Sequence, residues 1–383
     1  MHIGFLLPEY PHENVATTGG IGTSIRNVAL SLTSNGHKVS VFIYSQNENK
    51  IFYDGTIKVH KIKQQVSKMY LTWYTNRKYI QNYVQNYVSE DQIDVLEAPD
   101  WTGITAFMKF SIPLVIRLNG SDTYFCHLDG RKVKSKNAYF EGKALRSADK
   151  IISASDFTAQ KTKELFKLNN TIDTVHNGIF TNYFLPLPAA NVKENNVLYF
   201  GTIIRKKGVL ELASAFNKVI ESNPEATLTL LGKDTVDIFD NVSTLQLFYN
   251  LLSKEAKKQV THIQQVPHAE VKTYLAAAAV IVLPSFAEAL PMTWIEAMAS
   301  AKPLITSDVG WAKEVMIHNE TGYTVNPKNH ELFAEYMIEL LQDKNKREKF
   351  GAYAREVALK NFDIMGSILQ KNIKAYKAVM LKK

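Results

Sequence analysis

Short apolar runs alternate with segments of helical period along almost the whole chain. Residues 2–7 form a first apolar run. After the glycines at 19, 20 and 22, Ile25, Val28, Ala29 and Leu32 recur at helical spacing. Asn35-Gly36 closes that helix and residues 39–44 give the next strand. Further strands are predicted at 93–97, 114–118, 150–154 and 171–176, with a helix over 137–147 before the third of these. A second series starts with strand 197–200, runs into a loop at Gly201 and continues in a helix from about Gly208. Strands at 227–231 and 261–264 follow, then a helix over 269–277 and a strand at 280–283. Strand-helix alternation of this kind predicts an α/β protein with mainly parallel sheets. The segment 184–194 holds two prolines that stiffen a connection between domains. The boundaries expected are 1–186 and 192–364, with an amphipathic C-terminal helix at about 365–383.

The stretch 284–325 organises the rest. The apolar strand ends at Pro284, loop residues follow, and a helix starts near Pro291, where proline's fixed φ and missing N–H do least harm. Glu288 then lies in the loop facing a helix N-terminus, and Glu296 falls inside the helix. The unpaired N–H groups of such a terminus suit a phosphate. Carboxylates beside it accept hydrogen bonds from vicinal sugar hydroxyls. The pattern reads as a seat for a sugar nucleotide, with an ordinary αβ unit carrying solvated glutamates as the plainer reading.

Composition narrows the class. With 383 residues, 45% of them hydrophobic, the chain is long enough for two cores. Its one cysteine, Cys126, excludes an internal disulfide and any Cys-rich zinc site. No apolar run approaches the roughly 20 residues that span a bilayer, and the N-terminus reads as a strand. A cytoplasmic protein is expected, or one peripheral to the inner face of the cell membrane. The net charge is +8, unevenly placed. Between Asp54 and Glu90 stand Lys58, Lys61, Lys63, Lys68, Arg77 and Lys78 with no carboxylate, interleaved with Tyr70, Trp73, Tyr74, Tyr79, Tyr83 and Tyr87. Arg131, Lys132, Lys134 and Lys136 form a second cluster. Such a mixture suits an anionic membrane surface. The other readings are single-stranded nucleic acid, which is disfavoured, and a solvated helix whose tyrosines pack half-inward.

The first strand, glycine loop and helix form a Rossmann-like unit. A nicotinamide dehydrogenase would carry an acidic residue at the end of the second strand to hold the ribose. Tyr44-Ser45-Gln46 stands there instead, so that class is excluded.

The motifs Pro284-Ser285, Glu288, Glu296-Ala297-Met298-Ala299, Ser307-Asp308-Val309-Gly310 and Glu314 together resemble the donor-binding segment of family-4 retaining glycosyltransferases. The resemblance extends to 97–103, 117–122 and His176-Asn177-Gly178-Ile179. It implies the GT-B fold: two Rossmann-like domains facing across a cleft, with a C-terminal helix crossing back to the first. It also implies transfer of a sugar from a nucleoside diphosphate to a glycan or lipid-linked glycan, with retention and with no cofactor or obligatory metal. Polysaccharide assembly at a bacterial surface is the expected setting. Under the resemblance Lys207 binds the diphosphate, Glu288 the sugar and Glu296 the ribose. The N–H groups of Leu290, Met292 and Thr293 meet the distal phosphate, and Gly20 offers backbone from the first domain. Two positions depart from the family. Its arginine after the first glycine is Thr202 here, with Arg205 three residues on. Its histidine beside the anomeric carbon is Asn119, so the chain either lacks that group or uses another, such as Asp122 or Asp100. Asp100, Trp101 and Asp122 are expected on the acceptor side, and Glu288, Asn119 and Lys207 nearest the reaction. An epimerase or phosphorylase of the same fold is the alternative enzyme class; a nucleic-acid-binding protein is the non-enzyme alternative.

Overall fold

The computed structural model describes residues 1–16, 19–66, 71–186 and 192–381. They divide into two compact units, Met1–Ile179 with Asp363–Lys383, and Phe180–Phe362. The changes of unit thus fall at Ile179/Phe180 and Phe362/Asp363. Residues 187–191 of the expected junction, Lys68 and Tyr70 of the basic aromatic region, and 382–383 of the expected last helix lie outside the described residues.

The first unit holds an eight-stranded sheet of β1 (His2–Leu7), β2 (Lys38–Gln46), β3 (Lys50–Asp54), β4 (Ile57–Lys63), β5 (Val95–Pro99), β6 (Leu114–Leu118), β7 (Lys150–Ser153) and β8 (Ile172–Thr174). Its order is β3-β4-β2-β1-β5-β6-β7-β8. Every neighbouring pair is parallel except β3 and β4. That antiparallel edge pair was not expected from the sequence. Its signal is Gly55, at φ +60°, which starts a two-residue turn between two strand-forming runs. The strand expected at 93–97 begins two residues later, while Ile93 still packs in the core.

The second unit holds a six-stranded, all-parallel sheet of β9 (Lys193–Phe200), β10 (Thr227–Leu231), β11 (Val260–Ile263), β12 (Ala278–Leu283), β13 (Leu304–Ser307) and β14 (Gly322–Val325). The order is β11-β10-β9-β12-β13-β14. All six residues of β12 are buried, as a central parallel strand covered on both faces requires. In both units the chain winds outward on one side of the first strand and then returns to its other side. The reversal lies between β1 and β5 in one and between β9 and β12 in the other. Ligands of open α/β sheets bind outside the strand carboxyl ends at such points.

The C-terminal helix begins at Leu369, later than its apolar pattern predicts, because Gly366 breaks the run with φ −87° and ψ −132°. A fully buried polar cluster fastens it to the first sheet. Arg117 grips Glu97 through Nε (2.7 Å) and Nη2 (3.1 Å), and both side chains are 1% exposed. Arg117 Nη2 also donates to Asn372 Oδ1 at 2.6 Å, and the Tyr376 hydroxyl donates to Glu97 at 2.8 Å. Glu97 and Arg117, expected at ligand-facing strand ends, point instead at this helix. Both Glu97 oxygens and the Nε and Nη2 N–H groups of Arg117 are thereby paired, as a buried ion pair needs if it is to offset its desolvation. Near it, His176-Asn177-Gly178-Ile179 packs on the same return. Asn177 accepts from Ser24 Oγ at 3.0 Å, and Ile364 N donates to the Ile179 carbonyl at 2.8 Å.

Candidate active site

In the second unit the loops after β9 and β12 meet at the switch point. Arg205–Lys207 form one helical turn, and Gly208 starts the helix Val209–Ser222. Gly208 has φ +70°, and a Cβ there would stand 2.0 Å from the Pro284 carbonyl oxygen. Only glycine lets the two loops touch. The contact is fixed a second time by Phe286 N, which donates to the Lys206 carbonyl at 2.8 Å.

That junction presents Lys207 to Glu288. Nζ lies 3.1 Å from Glu288 Oε1, with the two side chains 20% and 15% exposed. Ser285 Oγ donates to the same oxygen at 3.3 Å. Gly201 lies open beneath the ammonium: a Cβ there would be 3.6 Å from Lys207 Nζ and 4.0 Å from Thr293 Cγ2. Thr293 sits in the first turn of the helix Met292–Ala299, which starts after Pro291 as expected and has no side-chain cap. Lys207 and Thr293 thus stand over one glycine, with Glu288 paired to the lysine; Leu290 and Met292 flank Pro291 at the start of the same helix. Glu296, on the same helix, is buried, and its Oε1 lies 3.8 Å from His268 Nε2. His268 stacks on Tyr183 at 5.5 Å. Sequence reasoning missed this histidine; a helix that opens on Pro267-His268 just before β12 was its signal.

Arg205 does not join this group through its charge. Its guanidinium is held by Asp237 (2.7 and 3.1 Å) and by Asp240 (2.5 Å). The hydrogen bond to Asp237 raises its pKa further and lowers that of Asp237. The arginine pins the loop 237–240 against the Arg205–Lys207 turn.

In the first unit, Gly20 opens the helix Gly20–Ser34 and is exposed. The anion at this helix N-terminus is internal: Glu9 Oε1 accepts from Gly22 N at 3.1 Å. Across the switch point Asp100 is fully buried, and its Oδ1 accepts from Asn119 N at 2.9 Å. Among the described residues Asp100 Oδ2 and Asn119 Nδ2 have no partner. Burial pushes the Asp100 carboxyl up to about 8, and the nearby Glu141 adds to the shift. Asp100 is therefore a neutral acid over most of the physiological range. Trp101 beside it is half-buried. Asp122 is committed elsewhere: it accepts from Asn137 Nδ2 at 2.8 Å.

Glu141 is the organising residue that the sequence reading passed over. It is fully buried and accepts from Thr102 N, Asp122 N, Thr123 N and Thr123 Oγ1 at 2.5–3.2 Å. It so ties the loops after β5 and β6 to one helix. Its signal is a carboxylate on the apolar face of the helix Ser135–Ser147, one turn before Ala144 and Leu145.

The basic aromatic region divides. Tyr83 and Tyr87 pack half-buried against His60, Tyr87 also against Phe42, and half-buried Tyr79 packs on Tyr83. Lys58 pairs with Asp91 and Lys61 with Glu48. Arg77 turns inward, donating to the Gly103 carbonyl at 3.2 Å with its guanidinium 4.3 Å from the Phe140 ring. The continuous surface that the sequence suggested is thus reduced to the helix start near Tyr74 and Lys78 and to the second cluster. Among the described residues no helix is long and apolar enough to cross a membrane.

Two units with mainly parallel sheets, each reversing its winding at a switch point, are the two Rossmann-like halves of the GT-B fold. The fold matches sucrose-phosphate synthase from Thermosynechococcus elongatus with a TM-score of 0.82 at 19% identity, over 100% of both chains. It also matches Anabaena HepE in complex with UDP-glucose, with a TM-score of 0.75 at 18% identity over 99% of this chain and 100% of that one. The family described as Glycosyltransferase Family 4 matches residues 18–183, and the one described as Glycosyl transferases group 1 matches 187–357. The chain belongs to the family-4 glycosyltransferases. An uncharacterized glycosyltransferase of Methanocaldococcus jannaschii is 22% identical over 99% of each chain.

Proposed function

We propose that the enzyme transfers a sugar, with retention, from a nucleoside diphosphate sugar to a glycan or lipid-linked glycan of a bacterial surface polysaccharide. The observation that carries this reading is the Lys207–Glu288 pair above Gly201, beside the uncapped helix Met292–Ala299. A diphosphate laid over Gly201 takes the Lys207 ammonium and the N–H groups of Leu290, Met292 and Thr293. Glu288, released from the lysine, then accepts from sugar hydroxyls. Glu296 accepts from the ribose hydroxyls and is oriented by His268. The bond from the anomeric carbon to the diphosphate oxygen breaks as the acceptor oxygen bonds to that carbon on the same face. The acceptor proton passes to the departing phosphate oxygen. Charge that develops there is met by preorganised donors, which is where most of the rate enhancement arises. The ammonium and the helix terminus do the work that a metal does elsewhere, so the reading needs neither metal nor cofactor.

The first unit supplies the acceptor side in this reading. Asn119 hydrogen-bonds the transferred sugar, Trp101 and Asp122 border the acceptor, and Asp100 holds the Asn119 turn. HepE, bound to UDP-glucose, supports a nucleoside diphosphate sugar as donor.

Thermal stability against a panel of nucleoside diphosphates and their sugar conjugates tests the reading. A ligand at about 100 times its dissociation constant adds roughly 2.7 kcal/mol. One base family should raise the melting temperature, and Glu296→Ala should abolish the shift. A melt that no nucleotide moves would refute the donor assignment.

A further inference from the structure

A cavity of about 440 Å³ opens in the first unit where the helix Ser135–Ser147 meets the end of the helix Asp156–Phe166. Thr123, Tyr139, Lys143, Arg146, Phe166 and Lys167 line it, and none of its lining residues is acidic. Arg146 is fixed in the wall, donating to the Gly142 carbonyl at 3.0 Å and the Phe166 carbonyl at 2.8 Å. These bonds use two of its five N–H groups. Lys143 and Lys167 make no ion pair with any described residue, and both are exposed. Lys167 occupies the left-handed position that ends its helix, φ +50°, where glycine or asparagine is the ordinary choice. Three cations thus line one concavity, and among the described residues none of the three is in an ion pair. Such a wall favours a phosphoryl group.

The rim is apolar on one side. Tyr139, 60% exposed, belongs both to the cavity and to a chain of ring contacts. It lies 6.2 Å from Phe107, which lies 5.7 Å from Trp73, which in turn lies 5.7 Å from Tyr74. Cations ride on these rings: Lys136 Nζ is 5.8 Å from Trp73, Lys143 Nζ is 5.9 Å from Phe107 and Lys78 Nζ is 6.0 Å from Tyr74. Leu71 and Tyr74 are exposed at the same end of the helix Thr72–Glu90. Rings with their edges in water and ammonium groups alongside match the headgroup level of a bilayer.

We propose that this cavity seats the phosphoryl headgroup of an anionic membrane phospholipid, while Tyr139, Tyr74 and Leu71 enter the adjoining interface. The enzyme would then rest by its first unit on the membrane that presents its acceptor. The proposal rests on the reading of a lipid-linked acceptor given above, and it names the surface that reading requires.

The test is co-sedimentation of the full chain with phosphatidylcholine vesicles, with and without phosphatidylglycerol, at physiological salt. Binding should require phosphatidylglycerol. The double variant Lys143→Gln, Lys167→Asn should weaken it about thirtyfold, the loss expected for two lysines near an anionic surface; asparagine tolerates the left-handed backbone. Leu71→Ser with Tyr139→Ser should weaken it as well. Both variants should keep the nucleotide-induced rise in melting temperature, because none of these residues serves the donor. Equal binding to both vesicles, or undiminished binding of the lysine variant, overturns the proposal. So does an oligonucleotide that displaces the vesicles and is itself bound less well by the lysine variant, since the surface then belongs to nucleic acid. A wild-type chain that binds the vesicles but no nucleotide would instead sink the donor reading and leave this one standing.

Discussion

Asp100→Asn isolates the charge state of a buried carboxyl. Asp100 is fully buried, and burial raises its pKa from 3.8 to about 8. Between those values the unfolded chain has released the proton and the folded chain retains it, so stability falls as pH rises. The slope is about 1.4 kcal/mol per pH unit, or roughly 2.7 kcal/mol between about pH 5.5 and 7.5. Asparagine preserves the volume and the oxygen that accepts from Asn119 N, and it does not titrate. The variant should therefore already be the more stable near pH 5.5, and its advantage should widen by about 2.7 kcal/mol by about pH 7.5. For a unit of this size that is a further gap of roughly 5–10 °C in melting temperature. Burial raises the Glu141 pKa too, but Glu141 is common to both chains and its effect largely cancels in their difference. The assay is tryptophan fluorescence during thermal unfolding, across pH, with Trp101 next to the substituted residue. A difference that stays constant with pH would show that Asp100 is ionised in the fold and would refute the argument.

Two further substitutions probe the frame. Gly208→Ala forces a Cβ into the Pro284 carbonyl and into a left-handed backbone. Denaturant unfolding should show a loss of about 2–5 kcal/mol, combining the left-handed penalty with overpacking, and a loss below about 1 kcal/mol would mean that the two loops can separate freely. Arg117→Met leaves Glu97 charged and buried without its partner, at a cost of about 3–5 kcal/mol, whereas Tyr376→Phe removes one hydrogen bond and should cost only about 1–3 kcal/mol. Hydrogen exchange in the helix Leu369–Met380 should accelerate in that order; unchanged protection in both variants would mean that apolar packing alone holds the helix.

The second unit was the more legible half. The run through β12 is apolar at every position, and the loop and helix after it carry their chemistry within a dozen residues, so local sequence sufficed. Lys207 and Glu288, expected at the diphosphate and at the sugar, lie side by side because Gly208 lets their two loops touch. Features that depend on distant partners left little local trace. A loop arginine reads alike whether it faces solvent, a ligand or Asp237, and so Arg205 was expected at the diphosphate. Arg117 and Glu97 lie at strand carboxyl ends, where ligands are the ordinary expectation, but their remaining partners are 255 and 279 residues away. Glu141 was passed over because a carboxylate in a helix reads as solvated unless its neighbours are known to be buried. The tyrosines of the helix Thr72–Glu90 divided between core and surface according to what β2 and β4 bring beneath them, and β4 itself was missed.

The attachment of Asn372 and Tyr376 to Arg117 and Glu97 sets a timetable for synthesis. The second unit is one continuous stretch of sequence and can complete its sheet as it leaves the ribosome. The first unit cannot, although it is made earlier. At roughly 5–20 residues per second, Arg117 waits about 10–50 s for Asn372. Through that interval the buried ion pair lacks its cover and water can reach it. The half translated first is the half that finishes last, and until then it is the more exposed to proteases and chaperones.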